Sequence, residues 1–275
     1  MTSFALGRGY RLAVEAQPVR GSAGDRFGKG TGSSMEFQEF RDYQAGDDLR
    51  HIDWRAYART ETLTTRLYRE EIAATVELLV DGSRSMALSP AKQQRTQQLA
   101  AFLAGAASGD ASLRAYSASD ALIPLDAELW QSEQELRFDG ELPLSEVPFA
   151  GALRAGTVRI VLSDFLFPSD ARALVKRLRG RAHHLVLLQL LDQEELDPSF
   201  RGNIRLEEVE TGSARELPID DRAIRHYLDR LERLGRSLAE EAQRAGARFL
   251  QLSAGQPLEA LVREVLVPAE VVAPR

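Results

Sequence analysis

The chain has 275 residues, 44% of them hydrophobic, and a formal charge of −6. These values predict a globular protein with one substantial core and a smaller appendage, or with two modest domains, and the excess of acid argues against a general nucleic-acid-binding surface. Because the sequence contains no cysteine, disulfides and thiolate metal sites are excluded.

Residues 1–72 predict an irregular N-terminal segment. Five glycines between positions 21 and 32 indicate a flexible connector, after which aromatic and charged residues are interleaved. We expect the aromatic side chains to pack on the sheet that follows. Four residues, Arg50, Asp53, Trp54 and Arg59, are candidates for a partner-docking face or for an ion-pair network that anchors the segment, and the network is favoured slightly. A solvated charged surface with Trp54 buried is the simpler alternative.

Residues 73–275 predict a second domain in which strands and helices alternate. Such alternation is typical of an α/β fold with a mostly parallel sheet and helices on both faces. The expected strands are 74–80, 113–116, 121–125, 157–162, 184–191 and 248–252, of which the second and third form a hairpin. The expected helices are 90–105, 127–136, 148–154, 169–178, 220–245 and 257–266, and the stretch 192–212 is expected to be irregular.

The location of the protein is also predicted from the pattern of apolar residues. No apolar run approaches the ~20 residues that a membrane-spanning helix needs. The first residues lack the continuous apolar core of a signal peptide. We therefore expect a cytoplasmic protein without a membrane span.

Two carboxylates follow two of the strong strands. Asp81 comes directly after the first strand, with Ser83 and Ser85 in the next turn, and Asp164 follows the strand at 157–162. Ligands of open α/β sheets bind beyond the carboxyl ends of the strands, and neighbouring strands lie ~5 Å apart. Asp-Gly-Ser alone is a common turn, but the second aspartate favours a site for Mg²⁺, with Mn²⁺ or Ca²⁺ as alternatives.

These residues carry a resemblance to known families. The segment from Asp81 to Ser85 resembles the DxSxS signature of von Willebrand factor A domains, and Asp164 resembles the third-loop aspartate of their metal-ion-dependent adhesion site (MIDAS). An upstream block resembles the DUF58 family, whose members carry a von Willebrand A-like domain behind it. That block comprises Gly32, Glu36-Phe37, Arg41-Asp42-Tyr43, Gly46-Asp47-Asp48, Arg50, Ile52-Asp53-Trp54 and Ala58-Arg59.

The resemblance implies a von Willebrand A-like, Rossmann-like fold with a metal site of Asp81, Ser83, Ser85 and Asp164. The adhesion site normally has a threonine in its second loop, and no clear Gly-Thr occurs there in this chain. Ser145 precedes the short helix expected at 148–154, and we take it as the candidate substitute.

The function implied by this resemblance is protein binding without catalysis. The chain would present Mg²⁺ to an acidic side chain of a partner, as an adaptor of a MoxR-type AAA+ ATPase or of its client. The alternative is a metal-dependent hydrolase of the phosphoesterase type that uses the same Asp and Ser residues. The sequence shows no obvious general base beside those residues. A third hypothesis assigns docking wholly to the N-terminal block.

Overall fold

The computed structural model describes residues 2–13, 35–44, 49–70, 74–126, 129–130, 136–149, 151–207 and 214–275. The chain divides into two compact units, one of residues 1–16 with 74–275 and one of residues 17–73. The first residues of the chain therefore belong with the sheet, whereas the sequence grouped all of 1–72 together.

The regular elements of the described residues are numbered in chain order. The strands are β1 (Tyr10–Leu12), β2 (Met35–Asp42), β3 (Thr64–Glu70), β4 (Ala74–Asp81), β5 (Ala111–Ala118), β6 (Leu122–Leu125), β7 (Val158–Ser163), β8 (His184–Leu191), β9 (Gly202–Glu207), β10 (Ala214–Ile219), β11 (Arg248–Ser253) and β12 (Val272–Pro274). The α-helices are α1 (Ser3–Gly7), α2 (Trp54–Thr60), α3 (Pro90–Ala107), α4 (Ala171–Arg179), α5 (Gln193–Leu196), α6 (Asp221–Arg244) and α7 (Leu258–Leu261).

The larger unit is built on a six-stranded sheet with the order β11-β8-β7-β4-β5-β6. All neighbouring pairs are parallel except β5 and β6, which form the expected antiparallel hairpin. The predicted fold class, a mostly parallel Rossmann-like sheet, is therefore confirmed. None of the helices in the described parts of the chain is long and apolar enough to cross a membrane.

Helices cover both faces of this sheet because its strands carry apolar side chains on both sides. Strand β4 illustrates the alternation: Val76, Leu78 and Val80 belong to one core cluster, whereas Leu79 belongs to the other. The first cluster also contains residues of α3 and α7, and the second contains residues of α4 and α6. Burial on two faces explains the continuous apolar runs that mark these strands in the sequence.

Helix α1 joins the larger unit through close backbone packing on α3. A side chain added at Gly7 would collide with the carbonyl oxygen of Phe102, and one added at Gly105 would collide with the carbonyl oxygen of Phe4. Glycine is thus needed on both helices for this approach. This packing, together with the antiparallel pairing of β1 with β12, places residues 2–13 in the larger unit.

Three expectations for the larger unit are corrected. The stretch 192–212 is not irregular, because it contains α5 and β9, and β9 pairs antiparallel with β10. The expected helix at 148–154 is absent, since the described residues there form turns. The terminal helix is α7 followed by a π-helical turn at Val262–Leu266. The helix expected at 127–136 falls mostly outside the described residues.

The smaller unit is more regular than the sequence indicated. Strands β2 and β3 pair antiparallel, with a register shift between Phe37 and Glu39. This bulge breaks the alternation of apolar residues along β2, so the strand pattern is hidden in the sequence. Between the strands, α2 is capped at its start by Asp53, whose carboxylate accepts hydrogen bonds from two backbone N–H groups. It is capped at its end by Glu61, with φ of 54°.

Candidate cation site

The two candidate aspartates lie at the same edge of the main sheet. Asp81 is the last residue of β4, and Asp164 directly follows β7. These strands are parallel neighbours, with Val80 paired to Leu162. The condition for a shared site, that the two strands are neighbours in the sheet, is therefore met, and both acids are buried.

Asp81 is held by the turn that follows it and by the adjacent strand. One carboxylate oxygen, Oδ1, accepts the backbone N–H of Ser83 at 3.0 Å, and Oδ2 accepts the hydroxyl of Ser163 at 2.5 Å. The hydroxyl oxygens of Ser83 and Ser85 lie 3.0 Å apart. The turn therefore gathers one carboxylate and two hydroxyls within a small volume.

The electrostatic environment of Asp81 disfavours its charge. Complete burial, together with the negative charge of Asp164, raises the pKa of Asp81 to about 6, although hydrogen bonds from Ser163 and Ser83 oppose this shift. Two like charges in a poorly solvated space account for this direction. A bound cation would relieve both effects.

Asp164 is held mainly by a buried lysine. Lys92 Nζ lies 2.9 Å from Asp164 Oδ2 and 2.8 Å from Glu195 Oε1. The backbone N–H of Leu166 donates to Asp164 Oδ1 at 3.0 Å. Burial lowers the pKa of Lys92, but the charges and hydrogen bonds of the two acids outweigh it, so that this pKa is raised.

The buried charges at this edge are mostly negative. Asp81, Asp164, Asp192 and Glu195 carry four negative charges when ionised, and Lys92 carries one positive charge, which leaves −3. Within the described residues, no group of three His, Asp or Glu side chains is arranged to hold a metal ion. Hydroxyl groups and water would have to complete the shell, and Mg²⁺ accepts such ligands. The residues present therefore fit a hard divalent cation.

The contact that fixes Ser145 involves its backbone. Its carbonyl oxygen accepts a hydrogen bond from Arg177, in the last turn of α4. The loop residue that meets the Asp81 turn is Gly140, which exchanges backbone hydrogen bonds with Gly82 and Arg84. Among the described residues, no hydrogen bond or ion pair links Ser145 to Asp81 or Asp164.

Sequence reasoning missed Lys92, Ser163 and Glu195. Lys92 lies on the buried face of α3 with Thr96, Leu99 and Leu103. A lysine on an apolar helical stripe is a readable signal that it meets a buried acid. Glu195 belongs to a capping box with Asp192, whose spacing is also readable in the sequence.

The structure assigns local roles to parts of the N-terminal block. Asp53 caps α2, and Arg59 Nε donates to the carbonyl oxygen of Arg55 at 3.3 Å. Arg50 lies exposed in the 3-10 turn Leu49–His51. Trp54 is 59% exposed and contacts the ring of Tyr57 edge to face. The alternative with a buried Trp54 is therefore wrong.

Comparison with known proteins places the chain in a family. The uncharacterized protein Rv1480 of Mycobacterium tuberculosis (strain ATCC 25618 / H37Rv) is 27% identical over 215 residues, which cover 72% of this chain and 68% of that protein. The solved structure of the conserved hypothetical protein BatB from Bacteroides thetaiotaomicron has a TM-score of 0.40 at 11% identity, covering 71% of this chain and 98% of its own. A von Willebrand factor type A structure from Catenulispora acidiphila has a TM-score of 0.36 at 10% identity, covering 76% of this chain and 44% of its own. The model of DUF58, a protein family of unknown function, matches residues 39–122 and 149–237, more than half of the sequence, and the chain therefore belongs to the DUF58 family.

Proposed function

We propose that this DUF58 protein is a non-enzymatic protein-binding module whose docking depends on a divalent cation, with Mg²⁺ as the first candidate. The observation that carries the proposal is the pair of buried carboxylates, Asp81 and Asp164, beside the hydroxyl pair of Ser83 and Ser85. In this proposal the two serines bind the ion directly, and the two aspartates bind it directly or through water. Ser145 is left out of the ligand set because no hydrogen bond among the described residues joins its hydroxyl to the Asp81 turn or to Asp164.

The chemistry of the bound ion indicates the class of partner. A cation held by hydroxyls, water and few direct carboxylates keeps enough positive character to accept one more anionic oxygen. An acidic side chain on another protein supplies such an oxygen. The family resemblance suggests a MoxR-type AAA+ ATPase or its client in the cytoplasm as that protein, so that the chain serves as an adaptor in complex assembly or maturation.

Cation binding can be tested on chelator-treated protein. Isothermal titration calorimetry with MgCl₂ should show binding to the parent and none to Asp81→Ala. Melting temperature should rise with Mg²⁺ in the parent and not in Asp81→Ala, since a ligand at 100 times its Kd stabilises the folded state by ~2.7 kcal/mol. Ser145→Ala and Asp120→Ala are matched controls that should keep the response, because Asp120 is exposed and hydrogen-bonds the backbone of Glu141 and Leu142. An equal response of the parent and Asp81→Ala would exclude the site.

Partner binding is tested separately with a purified MoxR-type ATPase. Capture of the ATPase by the immobilised chain should require Mg²⁺ and should be lost with chelator or with Asp81→Ala. If capture persists in chelator but is lost when Arg50 and Asp53 are changed, docking belongs to the N-terminal block instead.

A further inference from the structure

Lys92 forms a buried bridge between the candidate cation site and helix α5. Its side chain has no exposed surface, and its ammonium group contacts Asp164 Oδ2 and Glu195 Oε1. Separating one charged side chain from the other two would leave a buried charge without a partner, which is strongly unfavourable. The ammonium group of Lys92 is therefore held at this edge of the sheet.

The second acid of the bridge is itself fixed. Glu195 Oε2 accepts the backbone N–H of Asp192 at 2.7 Å, and the hydroxyl of Tyr227 donates to the Glu195 carbonyl oxygen at 2.9 Å. The hydroxyl of Ser89, next to the first turn of α3, also donates to the Asp192 side chain. These contacts fix the carboxylate that shares the ammonium group of Lys92 with Asp164.

We propose that Lys92 is a positioning residue that keeps Asp164 Oδ2 from binding a cation directly. Oδ2 accepts a hydrogen bond from the ammonium group, and Oδ1 accepts one from the N–H of Leu166. Asp164 then acts on the ion through water, and the ion retains more positive character for a carboxylate from outside. The inference rests on the proposed function, because it describes how the affinity of that same site is set.

The consequence for binding follows from the number of direct anionic ligands. Without the ammonium group, Asp164 becomes free to coordinate the ion, and the ion is held more tightly. Loss of a contact with only a structural role would weaken binding or leave it unchanged. Tighter binding in a folded variant therefore distinguishes positioning from support of the fold.

The test is the double variant Lys92→Met/Glu195→Gln. It removes one positive and one negative charge, so the formal charge of the site does not change and only the arrangement of its charges differs. Calorimetric titration with MgCl₂ should show binding at least tenfold tighter than in the parent, with melting curves to verify folding. Glu195→Gln alone keeps the contact between Lys92 and Asp164, and it should not tighten binding.

The outcomes separate this inference from the proposed function. Binding by the double variant but not by the parent would support the role of Lys92 and remove the cation from the native function. Equal affinity of parent and double variant, or binding by neither, would overturn the inference. Should the double variant fail to fold, crystals of the parent soaked in Mn²⁺ decide: Asp164 Oδ2 should stay on Lys92, and a direct bond from Oδ2 to the metal would refute the role.

Discussion

Replacing Asp81 by asparagine should stabilise the metal-free protein at neutral pH. The folded protein raises the pKa of Asp81 from 3.8 to about 6, first through burial and then through the charge of Asp164. The folded state therefore binds this proton more tightly than the unfolded chain does. The contribution of Asp81 to the free energy of unfolding is fully present below the pKa that Asp81 has in the unfolded chain. It is lost as the pH rises through the pKa that Asp81 has in the folded protein. At 1.36 kcal/mol for each tenfold change in proton affinity, the full loss is about 3 kcal/mol.

Asparagine carries no charge, so the variant keeps this stability at neutral pH, but it gives up one hydrogen bond. Its Oδ1 can still accept the N–H of Ser83, but the amide nitrogen cannot accept the hydroxyl of Ser163 as Asp81 Oδ2 does. One such hydrogen bond contributes about 1 kcal/mol. We expect Asp81→Asn to be less stable than the parent by about 1 kcal/mol at about pH 3 and more stable by about 2 kcal/mol at about pH 7.5.

The assay is urea unfolding in chelator over this pH range, with the difference between variant and parent plotted against pH. Asp120→Asn is the control, because hydrogen bonds from the backbone of Leu142 and Glu141 lower the pKa of Asp120. Its difference should therefore change with pH in the opposite direction. A difference for Asp81→Asn that does not vary with pH would refute the reasoning. Added Mg²⁺ should stabilise the parent and not Asp81→Asn.

Three further substitutions test the packing. Glu77→Leu should lower the free energy of unfolding by about 3–5 kcal/mol, because it leaves Arg159 buried without its carboxylate, and urea titration should show a smaller loss for Glu77→Leu/Arg159→Met. Gly82→Ala should cost about 1–3 kcal/mol in thermal unfolding, since its Cβ would collide with the Ser119 hydroxyl, and added Ser119→Ala should restore part of it. Asp53→Ala should remove the cap of α2 and speed amide exchange in that helix, with a loss of about 1 kcal/mol.

The elements that the sequence predicted well share one property. Strands β4, β7 and β8 are covered on both faces, so they are continuous apolar runs, and polar residues mark their ends. The elements that it missed lack this signal. Strand β2 has a bulge that disrupts its alternation, and β9 and β10 form a separate two-stranded sheet outside the main one. The prediction for Ser145 depended on a helix at 148–154, and the described residues there do not form one.

The sequence alone determined that Asp81 and Asp164 share one edge of a sheet, because each carboxylate directly follows a buried strand and parallel strands end on the same side. Only the tertiary structure decided which groups meet those acids. Lys92 is 72 residues from Asp164 along the chain and 103 from Glu195, and their contacts depend on how α3 and α5 pack at that edge. Local periodicity encodes which face of a helix is buried, but it does not encode which distant side chain that face meets.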